Sequence, residues 1–549
     1  MMRVVSVART AAGRRLAERL PYPVEVGEAS AAIRHAWREV DAIIVFLAVG
    51  ATVRLIAPHL RSKQSDPAVI AVDESGETVV VIVGGHHGGN QLATEVAALL
   101  GASPVITTAT DRRKLPALDA IPGFVAEGDY RGVAMRMLES ERPLLQSPLG
   151  WPVPHAERFG DGPSKVIVTD ELADTGREGV CVLRPPSLVA GVGCSSDATP
   201  EEVEAAVATA LRRAGLSRKS LALIATIDRR AEHPAIMALA LPIRAFHPDS
   251  LAIVQVPNPS QVVADAVGTP SVSEAAALRA AEGGPLLLAK QTFQKVTVAI
   301  ARRPPSGHLA VVGIGPGAPE ERTFRAAIAI RNAQAIVGFS GYLDLVGDLI
   351  TPAQVVQAFP IGAEIDRVAH AVALTRAGYR VALVSSGDAG VYALAALVFE
   401  HLHTTGTEID VEVVPGVTAA LSGAARLGAP LGHDHVAISL SDLLTPWELI
   451  KERVALAAKG DFVITFYNPR SAQRSWQLGE VLDILAAHRP PATPVGTIRN
   501  IGRPDERVSV STLGEFNPES VDMHTTVIVG SSRTRQYGNH LYTPRGYLL

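Results

Sequence analysis

Two histidines lie in a glycine-rich loop near the amino terminus. The stretch VVVIVGGHHGGNQLATEVAALL (79–100) predicts a strand, then a loop that contains His86 and His87, then an alanine-rich helix. Free N–H groups at the start of a helix attract anions, and imidazole side chains exchange protons near neutral pH. His86 or His87 could therefore act as a base in a hydrolysis whose oxyanion the loop amides stabilise. A glycine turn with two exposed histidines explains the same residues equally well.

Four further loops, in the carboxyl-terminal part of the chain, suit a nucleotide-like ligand. They occur in the stretches LAVVGIGPG (309–317), VALVSSGDAGVY (381–392), VVPGVTAA (413–420) and FVITFYNPRS (462–471), each at the end of an apolar run. Small residues let a ligand approach the backbone closely, and Asp388 offers an acceptor to hydroxyl or amine groups. Each loop alone is a weak signal, because the first lacks the full dinucleotide fingerprint and Asp388 could simply cap a helix. Together they fit one elongated ligand better than four unrelated turns.

A second histidine pair, His433 and His435, flanks Asp434 in the stretch LGHDHVAISL. A metal site needs more ligands at suitable spacing, so no metal is expected here. His433 is a candidate general base, and a structural turn is the alternative interpretation.

Strands that alternate with helices must position these loops. Apolar, β-branched runs predict strands at Ala42–Val49, Val79–Val83, Val189–Gly193, Leu309–Gly313, Arg380–Ser385, Asp461–Tyr467 and Thr525–Val529. Alanine- and leucine-rich runs between them predict helices, so the expected fold class is α/β with several modules and largely parallel sheets. In such sheets, loops at the carboxyl ends of strands form the binding sites.

Proline-rich stretches suggest how the chain divides. Glu141–Ser164 carries five prolines and Arg302–Gly307 reads RRPPSG. Because proline fixes the backbone and removes a donor, regular structure is expected to stop at both. The predicted division is an amino-terminal module (1–140), a linker or intermediate region (141–184), a middle module (185–301) and a carboxyl-terminal module whose two halves are 308–425 and 426–549.

Composition excludes several classes of partner. The 549 residues are 47% hydrophobic and 19% charged, with a formal net charge of −4 and no Lys/Arg-rich block. A nucleic acid or an anionic membrane is therefore not an expected partner. The amino-terminal stretch lacks the unbroken apolar run of a signal peptide, and Cys181 and Cys194 match no zinc or redox spacing. We expect a cytoplasmic protein with reduced thiols.

The carboxyl-terminal module resembles the tetrapyrrole (corrin and porphyrin) methyltransferase family. The four loops described above follow that family's order, over essentially all of 308–549. The resemblance narrows to the precorrin-3B carbon-17 methyltransferase branch, on the stretches VGFSGYLDLV (337–346), SSGDAGVYALA (385–395), RLGAPLGHDHVAISLSDLLTPWELI (426–450), YNPRSAQR (467–474), TPVGTIRN (493–500), TTVIVGSSRTR (525–535) and TPRGY (543–547). One departure is Ser340, where the branch often has a lysine.

The resemblance implies two α/β subdomains with S-adenosylmethionine in the cleft between them, in a homodimer. By motif, the residues expected to line the cofactor are Gly387, Asp388, Val391, Tyr392, Thr418, Ala419, Asn468, Gly496 and Thr526. Pro316 and its loop would face the tetrapyrrole and the transferred methyl group. The chemistry needs alignment and exclusion of water rather than a strong nucleophile.

A polycarboxylate tetrapyrrole also needs cationic partners. Candidates are Arg470, Arg474, Arg499 and Arg533, each of which is otherwise an ordinary solvated arginine.

The remaining part of the chain resembles the CbiG family of cobalamin biosynthesis. The matching stretches are AVGATVRLIAPHLRSKQSDPAVIAVDESG (48–76), GGHHGGNQLATEVAALLGASPVITTATD (84–111), VAGVGCSSDATPEEVEAAV (189–207), LIATIDRR (223–230), VGTPSVSEAAAL (267–278) and LLLAKQTFQKVTVAIARR (286–303). Similar proteins open a ring-A lactone of a precorrin-5A-type intermediate. Glu274 and Lys290 could contact substrate or form a surface pair, and Cys194 is a candidate nucleophile or a small buried residue.

Both resemblances imply one pathway, so we expect a fused enzyme of cobalamin biosynthesis. Its carboxyl-terminal half would methylate precorrin-3B at carbon 17 with ring contraction to precorrin-4. Its CbiG-like half would be a lactone hydrolase or, alternatively, a non-catalytic tetrapyrrole carrier. Methylation at another ring position remains an alternative for the carboxyl-terminal half.

Overall fold

The chain folds into two compact units. The computed structural model describes residues 3–61, 66–85, 88–106, 118–471 and 474–547. One unit consists of Met1–Ser306 with Asp348–Val355, and the other of Gly307–Gly347 with Val356–Leu549. The break at residue 306 falls inside the proline-rich stretch Arg302–Gly307. No helix within the described ranges is long and apolar enough to cross a bilayer.

The first sheet of the amino-terminal unit has the order β2–β1–β3–β4–β5–β6. Its strands are β1 Val4–Ala8, β2 Val24–Val26, β3 Ala42–Phe46, β4 Ala68–Val72, β5 Thr78–Val83 and β6 Ser103–Val105. Helices Ala11–Ala17, Ala29–Ala36, Val49–Ile56 and Gly89–Leu100 accompany it. Every residue of β3 and β4 is buried, which is why these strands read as unbroken apolar runs.

A second, four-stranded sheet occupies the region expected to be a linker. Its order is β7–β10–β9–β8, with β7 Val125–Gly128, β8 Pro143–Gln146, β9 Gly162–Val168, β10 Val180–Arg184 and the helix Tyr130–Leu138. The linker expectation for Glu141–Ser164 is therefore wrong, because β8 and the start of β9 lie there, and the expected boundary at 140 divides this sheet. Pro143 is the first residue of its strand, a position where the missing N–H is tolerated. Trp151 and Phe159, between the prolines, are buried in the core.

The third sheet of this unit has the order β13–β12–β11–β15–β14. Its strands are β11 Leu188–Cys194, β12 Leu221–Ile227, β13 Ile243–Phe246, β14 Leu286–Phe293 and β15 Val296–Arg302. Its helices are Pro200–Arg213, Pro234–Met237, Pro248–Ala252, Gln261–Val267 and Ser273–Ala280. The longest helix begins with a capping box of Thr199 and Glu202, whose side chains each accept the other residue's backbone N–H.

The carboxyl-terminal unit opens with a sheet of order β18–β17–β19–β16–β20. Its strands are β16 His308–Gly313, β17 Ala335–Phe339, β18 Val355–Phe359, β19 Arg380–Ser385 and β20 Asp410–Val414, with helices Phe324–Arg331, Ser340–Asp344, Glu364–Arg376 and Leu394–Thr405. Strand β16 pairs in parallel with both β19 and β20. The carboxyl ends of these three strands therefore lie side by side.

The last large sheet has the order β22–β23–β26–β24–β25. Its strands are β22 His435–Ser439, β23 Val463–Tyr467, β24 Pro494–Arg499, β25 Arg507–Thr512 and β26 Thr525–Val529, with helices Ala419–Leu427, Trp447–Lys459 and Gln477–Ala486. Short strands β21 Gly428–Ala429, β27 Arg535–Tyr537 and β28 His540–Tyr542 form a small sheet of their own. Only β22 and β23 pair in parallel, so the expectation of a largely parallel sheet is wrong here. The connection from β24 to β25 is too short for a crossover.

The two halves of this unit meet before the helix Ala419–Leu427. Leu427 packs over Gly496 of β24, and Gly423 faces Ile498 of the same strand. The helix therefore belongs to the second subdomain. The expected boundary at 425/426 falls inside it, because an amphipathic helix stays with the sheet that buries its apolar face.

Candidate active site

Three glycines bring the first three loops into backbone contact. A Cβ built on Gly313 would lie 2.7 Å from the Gly387 oxygen, 2.8 Å from the Ala389 nitrogen and 2.9 Å from the Gly416 nitrogen. Each of these atoms is backbone, and each of the three partner residues follows β19 or β20. The loops after β16, β19 and β20 therefore pack at a distance that only glycine permits.

Hydrogen bonds fix the same loops to each other. The Gly315 N–H donates to the Gly387 oxygen at 3.0 Å, and the Gly387 N–H donates back to the Gly315 oxygen at 2.8 Å. Both glycines have positive φ, 78° and 66°. The bridge holds the buried Pro316 beside the loop that contains Asp388.

The Asp388 carboxylate ties two loops together. One oxygen accepts the Gly390 N–H at 2.8 Å and the other accepts the Gly416 N–H at 3.0 Å. The nearest following helix begins only at Leu394, so Asp388 does not cap it. The carboxylate thus shapes the loops, and its contact with the cofactor stays a prediction.

Tyr467 joins the fourth loop to the other three. Its hydroxyl lies 2.6 Å from the Thr418 Oγ1 and accepts the Ala420 N–H at 2.9 Å, at the start of the helix Ala419–Leu427. Its ring packs against that of Tyr392 in a tilted arrangement, with centroids 5.2 Å apart. Burial raises the pKa of Tyr467, so the hydroxyl stays neutral at physiological pH. The four loops expected to share a ligand thus form one cluster.

Tyr392 connects the two subdomains across the cluster. Its φ is 52°, an unusual conformation for a bulky residue, and its hydroxyl donates to the Ala437 oxygen of β22 at 2.9 Å. Its side chain is 56% exposed, and it borders a cavity of about 460 Å³ that also reaches Ser439. A cavity of this size can accommodate a small-molecule ligand.

Asn468 follows Tyr467 and, like Tyr392, has a positive φ. Its φ is 50° and its Nδ2 donates to Ser439 Oγ at 3.0 Å. Arg474 donates to the Asn468 and Leu440 oxygens at 3.0 and 3.1 Å. The ends of β22 and β23 are therefore rigid where a ligand would meet them.

The remaining cofactor candidates differ in what surrounds them. Val391 lies in the second loop, and Ala419 begins the helix after the third. Gly496 and Thr526 lie inside β24 and β26, where Gly496 makes room for Leu427 and Thr526 pairs with Ile498. Their contact with the cofactor stays a prediction.

Three of the four candidate arginines are already engaged within the protein. Arg474 is 16% exposed and donates to backbone oxygens, and Arg470 donates to the Pro518 oxygen at 3.3 Å. Arg499 pairs with Asp522 and Asp505 at 2.8 and 3.2 Å. Arg533 is exposed. The structure thus favours a positioning role for Arg474 over the expected contact with substrate carboxylates.

His433 does not join the cluster. In the register of β22 with β23, His435 faces Val463 and Ser439 faces Tyr467. His433 therefore lies beyond the end of β22 that is opposite to Tyr467, roughly 13 Å or more away at 3.3 Å per residue. Its Nδ1 accepts the Asp434 N–H, so the turn interpretation is the one that the geometry favours.

The two histidines expected to act in the amino-terminal unit cannot be placed in its fold. His86 and His87 lie outside the described residues, between Gly84 and Gly88, which have φ of 75° and 92°. Glu274 is fully buried and accepts N–H groups of Asn258 and Lys290, so the surface-pair interpretation is wrong.

The two thiols lie in surroundings that favour the protonated form. Burial raises the pKa of Cys181 to about 12 and also raises the pKa of Cys194. A thiol is nucleophilic as the thiolate, so these surroundings do not activate Cys194.

Separate parts of the chain match different protein families. Residues 308–517 match the family of tetrapyrrole (corrin/porphyrin) methylases. Residues 31–111 match the cobalamin synthesis G amino-terminal region, and residues 188–301 match the corresponding carboxyl-terminal region. A probable cobalt-factor III C(17)-methyltransferase of Salmonella typhimurium is 44% identical over 241 residues, which are 44% of this chain and 100% of that protein.

The chain belongs to the tetrapyrrole methylase family.

A second tetrapyrrole methylase, the precorrin-3B C(17)-methyltransferase of a Sinorhizobium species, is 45% identical over 44% of this chain and 98% of its own. The crystal structure of the methyltransferase CobJ is 40% identical, with a TM-score of 0.42, over 44% of this chain and 100% of that one. The chain thus joins cobalamin synthesis G regions to a tetrapyrrole methylase, as the resemblances implied. The sheet at 125–184 lies between the two G regions and is matched by neither.

Proposed function

We propose that residues 308–549 transfer a methyl group from S-adenosylmethionine to carbon 17 of precorrin-3B or its cobalt form, with ring contraction to the precorrin-4 level. The observation that carries the proposal is the close packing of Gly313, Gly387 and Gly416, which brings the backbones of three loops together at one edge of the sheet. Relatives with C(17)-methyltransferase names match this region over nearly their whole length.

The residues present fit the methyl donor. Because Gly387 carries no side chain, an adenosine moiety can approach its loop closely, and Tyr392 and Asn468, both with positive φ, border the same cluster. When bound, S-adenosylmethionine supplies an activated sulfonium methyl group. The chain's task is to fix the loops through Asp388 and Tyr467, orient the tetrapyrrole near Pro316 and exclude water.

Label transfer tests this proposal. The full chain is incubated with precorrin-3B or cobalt-factor III and donor carrying a ¹³C methyl group, and the product is analysed by NMR. A label at carbon 17 supports the assignment. A label at another carbon contradicts the ring position, and absence of transfer with both substrates contradicts the activity.

For the amino-terminal unit we propose lactone opening at the loop between Gly84 and Gly88. The cobalamin synthesis G regions support this, together with the helix Gly89–Leu100, whose first N–H groups begin at that loop. A variant with His86→Ala and His87→Ala should lose lactone opening and keep methyl transfer. Normal lactone opening in that variant would refute the proposal, and binding without turnover in the wild type would favour the carrier alternative.

The proposal includes a homodimer formed through the methylase region, in the cytoplasm and without a nucleic-acid partner. Leu443 and Leu444 are 83% and 93% exposed, which is unusual for adjacent leucines unless another surface covers them. Sedimentation velocity should show a dimer for the wild type and monomers after Leu443→Ser with Leu444→Ser. A dimer that survives both changes would contradict this surface.

A further inference from the structure

The loop between β24 and β25 (residues 500–506, the β24–β25 loop) is held in one conformation by its own acids. Asp505 accepts from Asn500 Nδ2 at 2.5 Å and from Arg499 at 3.2 Å. Glu506 accepts the Gly502 N–H at 2.6 Å and pairs with Arg426, which also binds Glu321. The loop is therefore pre-organised rather than free to collapse.

This loop touches the Gly-Pro-Gly loop that follows β16. A Cβ built on Gly317 would lie 3.1 Å from Arg503 Cγ and 3.4 Å from Arg503 Nε. A Cβ built on Gly502 would lie 2.8 Å from the Ala318 nitrogen. The stem of Arg503 consequently lies directly over Gly317, next to Pro316.

The Arg503 guanidinium has no acceptor within the described part of the chain, although it is half-buried. Three acids of the two touching loops are engaged elsewhere: Glu321 and Glu506 with Arg426, and Asp505 with Arg499. Burial raises the pKa of Tyr342, in the helix that begins at Ser340, and the positive charges of Arg503 and Arg367 oppose that rise. A half-buried cation that lacks an anion is unfavourable in the free protein and favours binding of one.

We propose that Arg503 binds a side-chain carboxylate of the tetrapyrrole beside Gly317. This inference rests on the proposed methyl transfer, since only a polycarboxylate substrate at the Gly-Pro-Gly loop would meet this guanidinium. The planar guanidinium can hold a carboxylate through two parallel hydrogen bonds, which fixes the macrocycle in orientation as well as place.

The test uses the full chain and three variants: Arg503→Ala, Arg503→Lys and, as the matched control, the exposed Arg507→Ala from the same hairpin. Methyl-transfer kinetics give KM and kcat for precorrin-3B or cobalt-factor III, and calorimetry gives the Kd for S-adenosylmethionine. Arg503→Ala should raise the tetrapyrrole KM by about 10- to 100-fold, as loss of one charge-assisted hydrogen-bonded pair predicts, and leave the donor Kd unchanged. Arg503→Lys should recover part of the loss, and Arg507→Ala should match the wild type.

Three outcomes would decide against the proposal or separate it from the proposed function. An unchanged tetrapyrrole KM in Arg503→Ala overturns it. A parallel loss of donor affinity also overturns it, because Arg503 would then serve only to pack the loop over Gly317. Should the wild type transfer no methyl group, the proposed function fails. Direct tetrapyrrole binding, measured by absorbance, then decides on Arg503: weaker binding by Arg503→Ala than by Arg507→Ala supports the contact, and equal binding overturns it.

Discussion

Gly313→Ala should separate the loops that form the proposed site. The new methyl group would lie 2.7 Å, 2.8 Å and 2.9 Å from three backbone atoms of Gly387, Ala389 and Gly416. Because carbon contacts are comfortable at about 3.5 Å, the loops must move apart by about 0.5–1 Å. The φ of Gly313 is in the ordinary range, so the backbone itself tolerates alanine and the effect is purely one of space.

The expected size of the effect follows from that displacement. Overpacking of this kind costs about 1–3 kcal/mol of folding free energy. A misplacement near 1 Å can lower the rate by about 100-fold, which we expect for kcat/KM of methyl transfer. Affinity for the methyl donor, measured by calorimetry, should weaken by about tenfold, or about 1.4 kcal/mol.

A matched glycine provides the control. A Cβ on Gly479, in the helix Gln477–Ala486, would meet nothing within 4 Å. Gly479→Ala should therefore keep wild-type kinetics and gain about 0.5–1 kcal/mol of stability. Circular dichroism verifies that the Gly313→Ala protein is folded. A folded variant that binds the donor and turns over like the wild type would contradict the prediction for Gly313.

Four further substitutions, one of them with a control at Arg533, test other features of the molecule. Tyr467→Phe removes the acceptor of the Ala420 N–H and should cost about 1–3 kcal/mol in denaturant unfolding. Because burial raises the pKa of Tyr467 in the folded state, this contribution should be complete below about pH 10, the usual tyrosine pKa, and be lost as the pH rises further; a pH-independent difference would contradict it. Arg474→Ala should cost about 1–3 kcal/mol and slow methyl transfer, because two carbonyls lose their donor, whereas Arg533→Ala should do neither. Glu274→Gln should lower the thermal stability of the amino-terminal unit, since a neutral amide cannot accept all three N–H groups as the carboxylate does; equal melting temperatures would argue against this. His433→Ala should leave methyl-transfer kcat unchanged, and a large loss would restore the general-base hypothesis.

The convergence of the loops could be predicted from the sequence because parallel strands place their carboxyl ends at one edge. The runs that end at Gly313 and Ser385 are short and mostly apolar, and the run that ends at Val414 alternates acidic residues with valines. Their order along the chain follows a simple α/β alternation. The capping box at Thr199 can be predicted as well, since it depends on neighbouring residues only.

Features that depend on distant partners could not be predicted. Arg474 looks like a surface residue in YNPRSAQR, and only the fold brings the Leu440 carbonyl to it. Tyr467 meets Thr418 across 49 positions of the chain. The Arg426–Glu321–Glu506 network is equally remote in sequence, so no local signal marks it.

Proline was the misleading signal. Prolines between 143 and 163 suggested a linker, but the buried Trp151 and Phe159 in the same stretch indicate a core. Proline marks where hydrogen bonding is interrupted, and a short β-rich module contains many such places. The apolar aromatic residues would have been the better guide.

We infer that the loops after β16, β19, β20 and β23 bind one ligand together. Hydrogen–deuterium exchange of the full chain, with and without S-adenosylhomocysteine, measures this binding loop by loop. We expect slower exchange in peptides that cover all four loops, namely 313–317, 385–392, 415–420 and 467–471. Protection confined to a single loop, or no protection at a saturating concentration of S-adenosylhomocysteine, would contradict it.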